Sequence, residues 1–368
     1  MIHTSHSIIL KSSEAMSEIT AESVDVVVTS PPYPMIEMWD ELFAGRDDQI
    51  ASALRDNDGN LAFRLMHEQM YPVWGELYRV LKNGGIACIN IGDATRTVDG
   101  VFRLYPNHSY ILNYCLDLGF SNLTNIIWRK QTNAPNKFMG SGMLPAGAYV
   151  TLEHEYILIF RKGTKREFKT ASEKFNRQQS AFFWEERNVW HSDVWDVKGT
   201  PQNMLDKSCR NRSGAFPFEI AYRLINMFST KGDMVLDPFL GVGTTILASM
   251  ASCRSSIGYE INPGLYKTIS SVVNENAIDS LNEYLRNRLI KHISFVKERL
   301  LKEGKNALKH TNSNYGFPVV TSQETKLFIN YLASIQKRSD LEFEVSYLTD
   351  AALDHRPSLF MSLMGSEK

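Results

Sequence analysis

Two hydrophobic periods alternate along this chain. Short, β-branched apolar runs predict buried strands at Ser7–Leu10, Val24–Val28, Ile86–Ile91, Met234–Leu236 and Ser255–Tyr259. Between them, apolar residues recur at helical spacing. Over Glu68–Lys82 the residues Met70, Val73, Trp74, Leu77 and Leu81 form one stripe, and Asn83-Gly84-Gly85 is expected to end that helix. Tyr110–Leu118 predicts a helix stopped at Gly119, and Ala215-Phe216-Pro217-Phe218 opens another that runs through Phe228. A further helix follows the glycine-rich turn after Met234–Leu236, through Ile246–Ser252. Another starts at Asn262-Pro263 and runs to about Asn274. Leu123–Trp128 and Tyr156–Phe160 predict an antiparallel pair at one sheet edge. Ala277–Leu308 carries Leu281, Leu285, Leu289, His292, Val296 and Leu300 at near-helical spacing, and Ser322–Lys337 predicts a last helix. On that stripe His292 reads as a packed core histidine rather than a ligand. Strands alternating with helices give an α/β class: a doubly wound, mostly parallel sheet.

Composition narrows this picture only slightly. With 368 residues and 43% apolar content the chain can bury one large core or two smaller ones. No apolar run reaches membrane-spanning length, and the first residues carry no signal-peptide pattern, so a cytoplasmic protein without membrane contact is expected. Cys88, Cys115, Cys209 and Cys253 are scattered without disulfide or metal spacing and read as reduced, mostly buried thiols. Net charge is −1, yet Trp128–Arg212 holds more Lys and Arg than Asp and Glu. Such a segment suits phosphate contact, although a solvated charged face is the commoner cause of so modest a bias. Ile36–Asn60 is acidic and irregular in pattern, which fits an outward excursion or lid better than a phosphate contact.

Two stretches carry chemistry. Ser30-Pro31-Pro32-Tyr33 ends the valine-rich strand, at the carboxyl edge where open α/β sheets bind ligands. Ser30 and Pro31 both precede a proline and are held extended, and neither proline has an N–H. A free Pro31 carbonyl, the Ser30 hydroxyl and the Tyr33 ring suit a planar group bearing an exocyclic amine. Read alone, the stretch is equally an ordinary Pro-Pro turn with a core tyrosine. The second stretch is Asp237-Pro238-Phe239-Leu240-Gly241-Val242-Gly243-Thr244-Thr245. Gly241 and Gly243 allow close approach to the backbone, and Thr244 or Thr245 can cap the following helix. The third glycine of the dinucleotide fingerprint is missing, and Asp237 would repel a pyrophosphate but favour a cation. Glu260, at the end of the next strand, stands where doubly wound folds hold ribose hydroxyls. A ribose with positive charge and no phosphate points to S-adenosylmethionine.

Together, in this order, the two stretches resemble the DNA amino-methyltransferases that act on cytosine N4 or adenine N6. The likeness runs with gaps from about Ile8 to Tyr266. A catalytic stretch preceding the cofactor stretch resembles the circularly permuted β arrangement, and Ser-Pro-Pro-Tyr is more typical of the N4-cytosine branch. No Pro-Cys nucleophile motif of the C5-cytosine enzymes is present. The resemblance implies a methyltransferase-type α/β fold with an inserted target-recognition region, S-adenosylmethionine as cofactor, no metal, and methylation of N4 on a flipped cytosine. It implies double-stranded DNA as partner, a bacterial or archaeal restriction-modification setting with a possible cognate endonuclease, and a monomer or homodimer. By this likeness Ser30, Pro31, Pro32 and Tyr33 are catalytic. Asp237, Pro238, Phe239, Gly241, Gly243, Thr244, Thr245, Glu260 and Asn262 hold the cofactor, and Phe216 and Pro217 pack over its methionine part. Where the family has Gly-Asp near the adenine, this chain has Ser12-Ser13, so Ser13 is expected to serve. Where the family often has a histidine before Phe-Pro, Arg212 stands.

The implied layout is a catalytic half over 1–130, a sheet-edge hairpin and target-recognition region over 131–212, a cofactor half over 213–276, and a helical extension over 277–368. Within the target region, Lys137, Phe138 and Met139 in one loop, and Phe182, Phe183, Trp184, Trp190 and Trp195 in a second segment, suit base stacking. A satellite core is at least as good a reading for any single tryptophan. Adenine N6, RNA as substrate, and a non-catalytic DNA-binding module are the competing functions.

Overall fold

The structure, a computed structural model, describes residues 2–130, 139–140, 142–198, 216–304 and 307–348. Five parallel strands form the centre of an 11-stranded sheet, in the order Leu81–Ile91, Val24–Thr29, Met234–Asp237, Ser255–Tyr259 and His3–Ile9. Val24–Thr29 is buried along its whole length, as a strand covered on both faces must be. One apolar layer, built on the helices Phe218–Phe228, Thr244–Ala251 and Ala277–Glu303, covers one face. A second, built on Gly59–Val80 and Asn107–Asp117, covers the other. The doubly wound α/β expectation holds.

Antiparallel strands flank this centre on both sides. His154–Lys162 pairs with Leu81–Ile91 and with Ile126–Arg129, the predicted edge pair, while Phe120–Asn122 joins the same strand. Val194–Asp196 adds one more strand, parallel to Ile126–Arg129.

Several expectations are corrected. The first long helix starts at Gly59, where the Asp58 carboxylate accepts from the Leu61 N–H at 3.0 Å, and it stops at Val80. Asn83-Gly84-Gly85 therefore does not end a helix. It forms an irregularity inside the next strand, where Val24 pairs with Leu81 but Val26 pairs with Ile86. Gly84 takes φ 86 there, which its missing side chain permits. Ile36–Asn60 is not irregular either: Asp40–Ala44 and Asp48–Arg55 are helices. Ser322–Lys337 is not a helix, and 277–348 is only partly helical. After Ala277–Glu303 come Leu332–Ser339 and Glu342–Tyr347, an antiparallel pair that extends the main sheet beyond His3–Ile9.

A buried polar seam fixes that extension. Thr4 Oγ1 bonds both His6 Nε2 (2.8 Å) and Tyr347 Oη (2.9 Å), and Tyr347 donates to the Met250 carbonyl at 2.8 Å. Burial pushes the His6 imidazole down to about 3, so it stays neutral. Tyr347→Phe strands these partners. It is expected to cost about 1–3 kcal/mol in urea unfolding.

Candidate active site

The valine-rich strand and the strand before the glycine turn are direct neighbours, with Val26 opposite Val235 and Val27 opposite Leu236. Their ends are tied by side chains. Thr29 donates to Asp237 Oδ1 at 2.6 Å, Thr245 to Oδ2 at 2.6 Å, and the Phe239 N–H to Oδ1 at 3.1 Å. Asp237 is 3% exposed, and burial pushes its carboxyl up to about 6 against the pull of the two threonines. The threonines thus act differently from expectation. Gly243, at φ 91, is the N-cap residue of Thr244–Ala251, and Thr245 spends its hydroxyl on Asp237 rather than on a cap.

Glu260 holds the turn from the other side. It accepts from the N–H of Gly241 (2.8 Å) and of Asn262 (2.8 Å), and burial raises its carboxyl pKa. Asn262 caps the short turn after it by accepting from the Gly264 N–H at 2.9 Å. Gly241 sits at φ 57, and a Cβ there would meet only the Phe239 carbonyl oxygen, at 4.0 Å, so its backbone conformation is the reason for glycine.

A cleft of about 1070 Å³ lies over these two strand ends. Ser30, Pro31, Pro32 and Tyr33 line one part; Asp237, Pro238, Phe239, Gly241, Thr244 and Thr245 line another. Glu260, Asn262, Phe216 and Ser13 also face it. Two expected residues stand back. Gly243 lies behind the turn against Ile269, and Pro217 caps the helix Phe218–Phe228. Arg212, Cys209, Lys137 and Phe138, like the side chain of Met139, lie outside the described residues.

The sequence reading missed much of the cleft's wall. Trp39, Phe43 and Arg46, from the supposed excursion, line it, so this segment is part of the site. Glu14 also lines it, ion-paired to Arg46. Glu155 and Lys130 form another ion pair beside Tyr33. Tyr33 Oη bonds Ser30 Oγ (3.0 Å), donates to Glu155 Oε2 (2.9 Å) and accepts from Asn90 Nδ2 (2.8 Å). Burial and the Glu155 charge push this phenol well above its ordinary value. Gly92 leaves room for the Tyr33 ring, which a Cβ there would meet at 2.9 Å. None of these partners is near Ser30 in sequence except Tyr33.

Much of the aromatic-rich segment proves to be core, with Phe182 and Trp184 half-buried. Trp128, Phe183, Trp190 and Trp195 are all at most 4% exposed, so none of them offers a face to a base. His292 is fully buried, stacked on Phe183 and bonded to Glu185, as a core histidine. Several basic residues between Trp128 and Arg212 are ion-paired: Arg129 to Asp196, Lys162 to Glu22, and Arg166 to Asp233.

The sequence pattern of a family described as DNA methylase, the N6/N4 methyltransferases, matches residues 24–271, spanning both strand ends and the turn between them. The chain belongs to this family. The DNA methylase is 49% identical over 346 residues to the Type II methyltransferase M.MthZI of Methanothermobacter thermautotrophicus, covering 94% of this chain and 95% of that one. It is 50% identical over 283 residues to the Type II methyltransferase M.MjaI of Methanocaldococcus jannaschii, covering 74% and 92%. Among solved structures it resembles TTHA0409 of Thermus thermophilus, a candidate DNA modification methylase complexed with S-adenosyl-L-methionine. That match has TM-score 0.56 and 28% identity over 72% of this chain and 92% of that one. The cytosine-N4-specific PvuII DNA methyltransferase matches with TM-score 0.52 at 17% identity over 72% of this chain and 85% of that one, which speaks for the fold alone.

The methylase takes its methyl group from S-adenosylmethionine, and the charges of the cleft fit that ligand. The cations on its wall are matched: Lys11 with Glu18, Arg46 with Glu14, Lys130 with Glu155. Among the described residues no ion pair reaches Asp237 or Glu260. Two buried carboxylates without cationic partners favour a positively charged, phosphate-free guest.

Proposed function

We propose that this DNA methylase modifies the exocyclic N4 amine of a cytosine flipped out of double-stranded DNA, as the modification partner of a cognate restriction endonuclease. The observation that carries this reading is the single cleft shared by Ser30-Pro31-Pro32-Tyr33 and by the turn from Asp237 to Thr245. The type II relatives support the restriction-modification setting, and Ser-Pro-Pro-Tyr, in the β order of motifs, supports cytosine.

S-adenosylmethionine supplies an activated methyl carbon on a sulfonium. The chain's own residues supply position and fixed dipoles. Asp237, Glu260, Asn262 and the open backbone at Gly241 hold the donor, with Ser13 and Phe216 on the cleft wall; Gly243 and Pro217 support this wall from behind. On the other side the Tyr33 ring offers its face to the everted base, replacing part of the lost stacking at an eversion cost of a few kcal/mol. Ser30 Oγ and the Pro31 carbonyl accept hydrogen bonds from the amine and draw its lone pair toward the methyl carbon. As positive charge builds on that nitrogen, acceptor oxygens and a ring face stabilise it. The layout into a catalytic half, a target region over 131–212 and a cofactor half follows the same reading.

The Asp237 carboxyl supplies a pH test. Below about 6 it is protonated and neutral; above, it is an anion. A cationic guest binds the anion better, so the Kd for S-adenosylmethionine is expected to fall as pH rises from about 5 to 7. The Kd for S-adenosylhomocysteine, with an uncharged sulfur, should change much less. Calorimetry with both ligands reads the difference. The function itself is tested by methylome sequencing of DNA from cells expressing the protein: N4-methylcytosine at one short sequence is expected. N6-methyladenine would replace the base assignment, and unmodified DNA would end the reading.

A further inference from the structure

The hydrogen bonds behind Ser30 fix which way each proton points. Glu155, on His154–Lys162, is a 7%-exposed carboxylate held by its ion pair with Lys130, whose ammonium lies 4.6 Å from the centroid of the Trp128 ring. Tyr33 has one hydroxyl proton and gives it to Glu155 Oε2 at 2.9 Å, a charge-assisted bond. Asn90 Nδ2 donates to that same oxygen at 2.7 Å and to Tyr33 Oη at 2.8 Å. The reverse amide orientation would set Asn90 Oδ1 against the carboxylate, so the nitrogen is fixed inward. With its own proton committed, Tyr33 Oη can only accept from Ser30, 3.0 Å away. The Ser30 proton therefore points at Tyr33, and its lone pairs are left free to accept in the cleft.

We propose that Glu155 is a positioning residue for methyl transfer: through Tyr33 it makes Ser30 Oγ an acceptor toward the target amine, and it is the terminus for the proton that amine sheds. This rests on the reading of Ser30 as the amine's acceptor. The balance is simple. The amine lone pair forms the N–C bond while the S–C pair stays on sulfur, leaving the nitrogen with a positive charge and one proton too many. That proton passes to Ser30 Oγ as the Ser30 proton passes to Tyr33 Oη and the Tyr33 proton to Glu155 Oε2. Each hydroxyl gains one proton and loses one. Glu155 ends neutral and returns its proton to solvent through the cleft.

Burial holds the Tyr33 phenol far above the ordinary range, so it never stands as a free phenolate and serves only as a conduit. A serine alone is too weak an acid and base to take the proton from the amine and keep it. A carboxylate two hydrogen bonds away removes that difficulty, and no signal local to Ser30-Pro31-Pro32-Tyr33 reveals it, since Glu155 lies 122 residues beyond Tyr33.

The test is single-turnover methyl transfer to duplex DNA by wild type, E155Q, Y33F and the double variant. E155Q keeps the shape and loses the charge; its rate is expected to fall about 10²-fold, the scale of one acid–base contact. The Kd values for S-adenosylmethionine and DNA should stay at wild-type values. Y33F should lose as much, and E155Q/Y33F no more than either, because both cut one chain. E155D should recover part of the loss. E155Q with the wild-type rate would overturn the proposal, as would losses that multiply in the double variant. Should E155Q fail to fold, Y33F decides: a wild-type rate there overturns the proposal equally. No transfer by wild type on any DNA would instead overturn the reading of the site, and this inference with it.

Discussion

Ser30→Ala is expected to slow single-turnover methyl transfer about 10²- to 10³-fold, the range for one lost transition-state contact, with S-adenosylmethionine affinity essentially unchanged. The asymmetry follows from where Ser30 sits. Its Oγ contacts Tyr33 and faces the cleft, and it makes no bond to the Asp237–Thr245 turn. Removing it leaves Tyr33 Oη still bonded to Asn90 and Glu155, so the ring keeps its place. What is lost is an acceptor aimed at a nitrogen that becomes positive only during transfer. Rapid-quench kinetics with labelled methyl donor separates this from product release. A wild-type rate in Ser30→Ala would remove Ser30 from the mechanism.

Asp237→Ala should do the opposite, damaging binding before chemistry. The change removes a buried carboxylate and strands three donors: Thr29 Oγ1, Thr245 Oγ1 and the Phe239 N–H. It also removes one of the two buried cleft carboxylates, Asp237 and Glu260, that no ion pair reaches among the described residues. Truncating one side of a buried, hydrogen-bonded charge contact costs about 2–5 kcal/mol, or roughly 30-fold or more in Kd for S-adenosylmethionine. Calorimetry reads it directly. The rate at saturating donor should fall far less than the affinity.

The parallel centre of the fold was legible because its strands are continuous apolar runs between turn residues, a pattern with no good helical alternative. Both site stretches were legible for a related reason: prolines and glycines impose local geometry whatever surrounds them. The errors arose where partners distant in sequence decide. Leu332–Ser339 contains Ala333, Gln336, Lys337 and Arg338, good helix formers locally, yet its pairing with Glu342–Tyr347 makes it a strand. The tryptophans of 181–196 fitted base stacking or a satellite core equally well from sequence, and only packing against Tyr222 and Arg288 places Trp190 in the core. Asn83-Gly84-Gly85 has the composition of a helix stop, and only the register against Val24 and Val26 makes it a strand irregularity. Glu155, Asn90 and Lys130 gave no signal at all: a single Glu in an apolar strand says nothing until the sheet brings it beside Tyr33.

In the proposed mechanism two strand ends share one cleft, so that a methyl group held at the Asp237 turn reaches an amine held at Ser30. Its most direct measurement is to incubate the purified protein with labelled S-adenosylmethionine and duplex DNA, digest the DNA, and identify the labelled nucleoside. Label is expected on N4-methylcytosine, abolished or strongly slowed by Ser30→Ala. Label that appears on no exocyclic amine, or that appears at full rate in Ser30→Ala, would contradict it.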